Sequence, residues 1–109
     1  MTSSSFDFKV YRVGITKSAK QDLSIIYEFI KETSGTDYYA DKQLKVIESE
    51  IYKLSIFPNG HPLYQEKLKY RICHIGKYRV IFRVFERKSE VDIIRIFHAR
   101  QNVDGLLGD

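Results

Sequence analysis

Apolar positions recur along this chain with two different periods, and the places where the period changes divide it into six elements. Tyr11, Val13 and Ile15 alternate with Arg12 and Gly14, the period of two that predicts a short strand of about six residues. The period then lengthens. Ala19, Leu23, Ile26 and Ile30 follow at steps of four, three and four, with Tyr27 beside them, which is one face of an amphipathic helix. Ser18-Ala19-Lys20-Gln21 reads as a capping box that starts this helix, and Thr33-Ser34-Gly35 ends it. Thr36 or Asp37 caps a second helix. Its stripe is Ala40, Leu44, Ile47, Ile51 and Leu54, and Phe57-Pro58-Asn59-Gly60 stops it. So short a connection between two amphipathic helices predicts an antiparallel helical hairpin.

From Tyr70 to Arg100 the period returns to two. Three runs rich in β-branched and aromatic residues are separated by two turn signals. Gly76-Lys77 suits a tight two-residue hairpin, since glycine takes a positive φ without strain. The charged segment Glu86 to Glu90 is a hairpin loop too polar to bury. In the middle run Tyr78, Val80, Phe82 and Val84 point to one face, while Arg79, Ile81 and Arg83 point to the other. The first face covers the helical hairpin. The second carries two guanidiniums, and Arg71 and Arg95 on the neighbouring strands are expected near them. The order β-α-α-β-β-β predicts an α+β fold, a small antiparallel sheet with the helical hairpin packed on one face. The first strand joins an edge. Residues 1–10 are expected to form a flexible polar end and 11–109 a single domain, with Val103, Leu106 and Leu107 as a short docking turn.

Charge sharpens this picture. The whole chain carries a formal +4. Residues 1–63 hold eight Lys/Arg against eight Asp/Glu, whereas 64–102 hold ten against four. A basic half on a neutral half points to an anionic partner, nucleic acid or an acidic protein. Arginines on a rigid sheet offer fixed forks of donors to phosphate or carboxylate, although Glu86, Glu90 and Asp92 stand close enough in sequence to pair with them. Lys67, Lys69, Arg71, Arg79, Arg83, Arg95 and Arg100 form the candidate binding set. Cys73 is the only cysteine, which excludes an internal disulfide and a thiolate cluster. The three histidines lack the spacing of a metal site, so neither metal nor cofactor is expected. No run reaches membrane-spanning length, and Met1 to Ser5 lacks the features of a signal peptide. The expected location is cytoplasmic, with no membrane partner.

SAKQDLSIIYEFI, KLSIFPNG, YRICHIGKYRVIFRV and IIRIFHARQNVDGLL, in this order and spacing, resemble the RelE/ParE superfamily of bacterial toxins. The resemblance covers the chain from Tyr11 onward. It implies a small basic α+β toxin, neutralised by a cognate antitoxin with an acidic or amphipathic tail. Members like RelE are ribosome-dependent, metal-free ribonucleases that cut messenger RNA. By that likeness Arg79 would stabilise the phosphate, with Glu66 and His98 as general base and acid. Where such members place a tyrosine near the C-terminus, this chain has Ala99 and Leu106-Leu107. Members like ParE poison DNA gyrase by binding and have no established catalytic set. The SAKQDL start, the FPNG stop and the FHARQNVDGLL close look most like that branch. A basic binding module for RNA or protein is the third reading.

Overall fold

In the computed structural model, which describes residues 9–65 and 67–100, strand turns into helix at a single threonine. Strand β1 (Arg12–Ile15) runs through Thr16 into helix α1 (Lys17–Ser34). The Thr16 hydroxyl accepts from the Ala19 amide at 3.3 Å and donates to the Ile93 carbonyl at 2.7 Å. The cap is therefore Thr16 and not Ser18. Thr16 still has the extended backbone of the strand, which an N-cap needs, whereas Ser18 is already helical. Gly35 ends α1 at φ 75°, its N–H donating to the Lys31 carbonyl. The Thr36 hydroxyl accepts from the Tyr38 amide and starts α2 (Asp37–Tyr52). Two short 3-10 turns, Lys53–Ser55 and Pro58–Gly60, lead to β2 (Leu63–Tyr64), β3 (Lys67–Ile75), β4 (Tyr78–Phe85) and β5 (Glu90–His98).

The sheet order is β1-β5-β4-β3-β2. From β2 to β5 the neighbours are antiparallel, as the short turns predict, and Ile75 pairs with Tyr78 across Gly76-Lys77. β1 joins the edge parallel to β5, Arg12 opposite Glu90 and Ile15 opposite Ile93. The sheet is thus mixed. Parallel neighbours need a long connection, and the chain between β1 and β5 supplies it. The two-residue strand β2 is an addition that no alternation in the sequence announced.

One bulge decides which residues share a face. Ile81 pairs with Arg95 but Phe82 pairs with Ile93, so Ile94 is an extra residue in β5. The extra residue changes the alternation. Ile96 joins the core on the helix side while Ile94 packs on the other side, although residues two apart on a regular strand share a face. The main core holds Leu23, Ile26, Ile47, Ile51 and Leu54 from the helices and the turn after them, against Val80, Phe82, Val91, Ile93 and Ile96 from the sheet. The helical hairpin therefore covers the predicted face of β4. On the opposite face Tyr64, Ile72, Ile81 and Phe97 form a second, smaller cluster, with Tyr70 and Ile94 against it.

Glu86, in the loop before β5, ties three parts of the chain together. Its carboxylate accepts from the Tyr11 hydroxyl and from the Asn59 amide at 2.9 Å, and it pairs with Lys9 at 3.3 Å. The hydrogen bonds from Tyr11, then Asn59, hold its pKa below the usual carboxylate value. Residues 1–8, Glu66 and the proposed docking turn beyond Arg100 lie outside the described residues.

Two measurements test this packing. Phe82 is fully buried, so Phe82→Ala should lower the unfolding free energy in urea by about 3–5 kcal/mol, while the half-buried Leu44 should cost less on the same change. A depressed carboxylate pKa contributes stability that is present above the unfolded-state pKa and lost as pH falls through the folded one. Thermal unfolding should therefore drop more steeply between neutral and acid pH in the wild type than in Glu86→Gln.

Candidate functional site

β4 carries the arginines because its alternation leaves one set of side chains uncovered by the helices. Arg79 stands opposite His74 on β3 and Phe97 on β5. Its guanidinium lies 5.0 Å from the centre of the Phe97 ring. Arg83 stands opposite Asp92, its guanidinium 4.4 Å from the Phe85 ring. The Lys69 ammonium lies 5.8 Å from the Tyr70 ring. Each stacking holds a cation on a flat apolar support, worth about 0.5–1 kcal/mol where solvent reaches it. The expected basic face thus exists, but it is floored by the second apolar cluster. Planar donors fixed in this way suit carboxylates or phosphates.

His98 lies on the other face. It stands opposite Tyr78, the two rings meeting edge to face at 5.7 Å, and Tyr78 packs on the helix-side core. Its Nδ1 accepts the Arg100 backbone N–H at 3.1 Å. With Ile25, Ile26, Phe29, Tyr78 and Arg100 it lines a hollow of about 440 Å³. The sheet therefore separates His98 from Arg79, which points away from the helices. Glu66 and the Lys67 side chain lie outside the described atoms.

The other arginines also part company. Arg71 is opposite Phe82, on the helix side, and donates to the His61 carbonyl at 2.7 Å. Burial, and then the Arg71 charge, press the His61 pKa down. Arg95 turns to α1, where Nε and Nη2 donate to the two oxygens of Asp22 at 2.8 and 2.9 Å. Hydrogen bonding to Asp22 raises its already high pKa. Arg100 is exposed at the rim of the hollow. Of the predicted set, Arg79 and Arg83 share the open face. Ile25 and Phe29, both exposed on α1, were missed as surface features. Their signal was two large apolar residues four apart, adjacent to the core stripe and not on it.

With this geometry in hand, the comparisons are specific. The profile of the ParE toxin of type II toxin–antitoxin systems, parDE, matches residues 13–103. This chain belongs to the ParE toxin family. The match spans all the described elements but Arg12 of β1. Curated protein sequences give no match. Among solved structures, the chromosomal ParDE toxin–antitoxin system from P. aeruginosa superposes with a TM-score of 0.71 at 22% identity, over 83% of this chain and 97% of that one. The RelBE2 toxin–antitoxin complex from Mycobacterium tuberculosis superposes at 0.62 with 25% identity, over 84% and 97%. Both superpositions span more than four-fifths of this chain. As a ParE family member the chain is a type II toxin, and among its described residues no helix is long and apolar enough to cross a membrane.

The split among the arginines can be measured. Arg95→Ala should cost about 1.5–3 kcal/mol of stability, because it strips charged hydrogen bonds from the buried Asp22. Arg83→Ala and Lys69→Ala should stay within about 0.5 kcal/mol. Urea denaturation of the three variants checks both statements.

Proposed function

We propose that this toxin acts by binding DNA gyrase, without cutting RNA, and that a cognate antitoxin with an acidic or amphipathic tail neutralises it. The observation that carries the reading is the separation of Arg79 from His98 by the thickness of the sheet. Cleavage of a phosphodiester by a neighbouring hydroxyl needs charge stabilisation and proton transfer at one place. Arg79 and His98 could not serve the same phosphate from opposite faces. His98 moreover spends Nδ1 on the Arg100 backbone at the rim of an apolar hollow, a setting for a structural or contact residue. The ParE family membership favours the same branch. A binding toxin asks only for surfaces, and this chain has several.

The antitoxin reading rests on charge and on the neighbours. Arg79 and Arg83 lie on the open face of the sheet, within the part of the chain that carries the excess of base, so an acidic segment is the complementary partner. Both structural neighbours are described as toxin–antitoxin assemblies. The proposed site of action is the cytoplasm, where gyrase and a co-produced antitoxin are both present.

The test sets a gyrase supercoiling assay beside a translation extract, each with wild type, Arg79→Ala and His98→Ala. Supercoiling should fall on adding wild type while translation continues, and His98→Ala should inhibit gyrase as wild type does. A nuclease would behave otherwise, since removing one phosphate-stabilising donor costs on the order of 10² to 10³ in rate. Blocked translation with untouched gyrase, lost on mutating His98, overturns the reading.

A further inference from the structure

The side of α2 that faces away from the sheet has an unusual composition for a solvated helix face. Tyr38, Lys42, Lys45, Ser49 and Tyr52 are all exposed, and they recur at steps of four, three, four and three. That spacing draws one line along a helix. The line runs opposite the buried Ala40, Ile47 and Ile51. Val46 widens it. Tyr38 is 64% exposed, Tyr52 52% and Val46 48%. The Lys42 ammonium lies 6.0 Å from the Tyr38 ring, and Tyr39 meets Tyr38 edge to face at 5.7 Å.

The carboxylates of α2 flank this line. Asp37 pairs with Lys31 of α1 at 3.4 Å, and Asp41 accepts from the Tyr27 hydroxyl at 3.1 Å. Glu48 lines a hollow with Leu23 and Tyr27 of α1, and Glu50 pairs with Lys53 at 2.6 Å while bordering a hollow with Lys42, Lys45 and Val46. Lys42 and Lys45 form no ion pair among the described residues. On α2 the lysines thus lie outward, with acids on the flanks.

The geometry points to the outer face of α2 as the surface that docks on gyrase, and to an acidic amphipathic helix of gyrase as the element it receives. This rests on the gyrase reading above and adds to it the place and the chemistry of contact. The two central lysines call for carboxylates. Tyr38 and Tyr52 at the ends and Val46 at the side call for apolar partners, and tyrosine is enriched at the energetic centres of interfaces. A line with steps of four and three is matched by another helix. A nucleic-acid backbone would satisfy the lysines and leave the tyrosine and valine area uncovered. The open basic face lies on the far side of the sheet from α2, so an antitoxin tail bound there and gyrase bound here use different residues.

The experiment compares Lys42→Glu/Lys45→Glu and Tyr38→Ser/Tyr52→Ser with wild type, and with Lys17→Glu/Lys20→Glu as a charge control on the exposed start of α1. All six positions are exposed, so thermal unfolding should be unchanged. The concentration of toxin that halves gyrase supercoiling should rise at least about tenfold for each α2 pair and stay put for the control. Added salt should weaken wild type more than the lysine variant. If both α2 pairs inhibit as wild type does, this inference falls while the gyrase reading stands. If wild type leaves gyrase untouched, both fall. Binding of wild type to a short DNA duplex without gyrase, abolished by the lysine reversal, would also overturn it in favour of a nucleic-acid surface.

Discussion

The fold depends on how the open edge of β5 is sealed. β1 covers that strand only from Glu90 to Ile93. Beyond it the backbone would stand unpaired, an exposed edge that invites pairing with other chains. Helix α1 closes it from above. The Thr16 amide and hydroxyl both donate to the Ile93 carbonyl. Nearly two turns later Asp22 accepts the Ile96 N–H at 2.8 Å and two N–H donors of Arg95. Asp22 is 7% exposed, the one buried charged residue of the described chain. A carboxylate that deep is tolerable only when its charge and its hydrogen bonds are met. Here they are met by the strand it protects.

That seal positions everything else. It fixes α1 against β5, and α1 carries α2 with it through the short connection at Gly35. The helical layer then covers only one face of the sheet. The other face keeps Arg79 and Arg83, supported on aromatic rings, and has a small core of its own. The bulge at Ile94 lies beside the seal and makes it possible, because the extra residue changes the side to which the end of β5 turns. His98 consequently joins the helix-side hollow with Phe29 and Tyr78, away from Arg79 and Arg83.

A toxin built in this way offers two chemically different surfaces on opposite layers. The sheet presents stacked guanidiniums, suited to an acidic chain that can lie flat on them. The outer helix presents lysines between tyrosines, suited to a partner with both carboxylates and apolar side chains. A small protein can act by contact alone, and contact draws on exposed aromatic area.

The sequence by itself determined what local chemistry governs. Both helices, the Gly76-Lys77 hairpin, the polar loop at Glu86 and the helix-facing set of Tyr78, Val80 and Phe82 were legible, because periodicity and turn residues act within a few positions of each other. The family resemblance was legible on the same elements. Other features belong to tertiary structure alone. The cap passed from Ser18 to Thr16 because Ile93 offers Thr16 a partner 77 residues away. Arg95 left the expected basic face for Asp22, 73 residues distant. Arg71 went to the helix side by register, and the extra residue Ile94 gave His98 different company on its strand. Nothing in the order of residues marks where a ladder skips one position. Alternation is counted along a single strand, but the face a side chain occupies is settled by its pairing with another strand, and only the folded sheet contains that pairing.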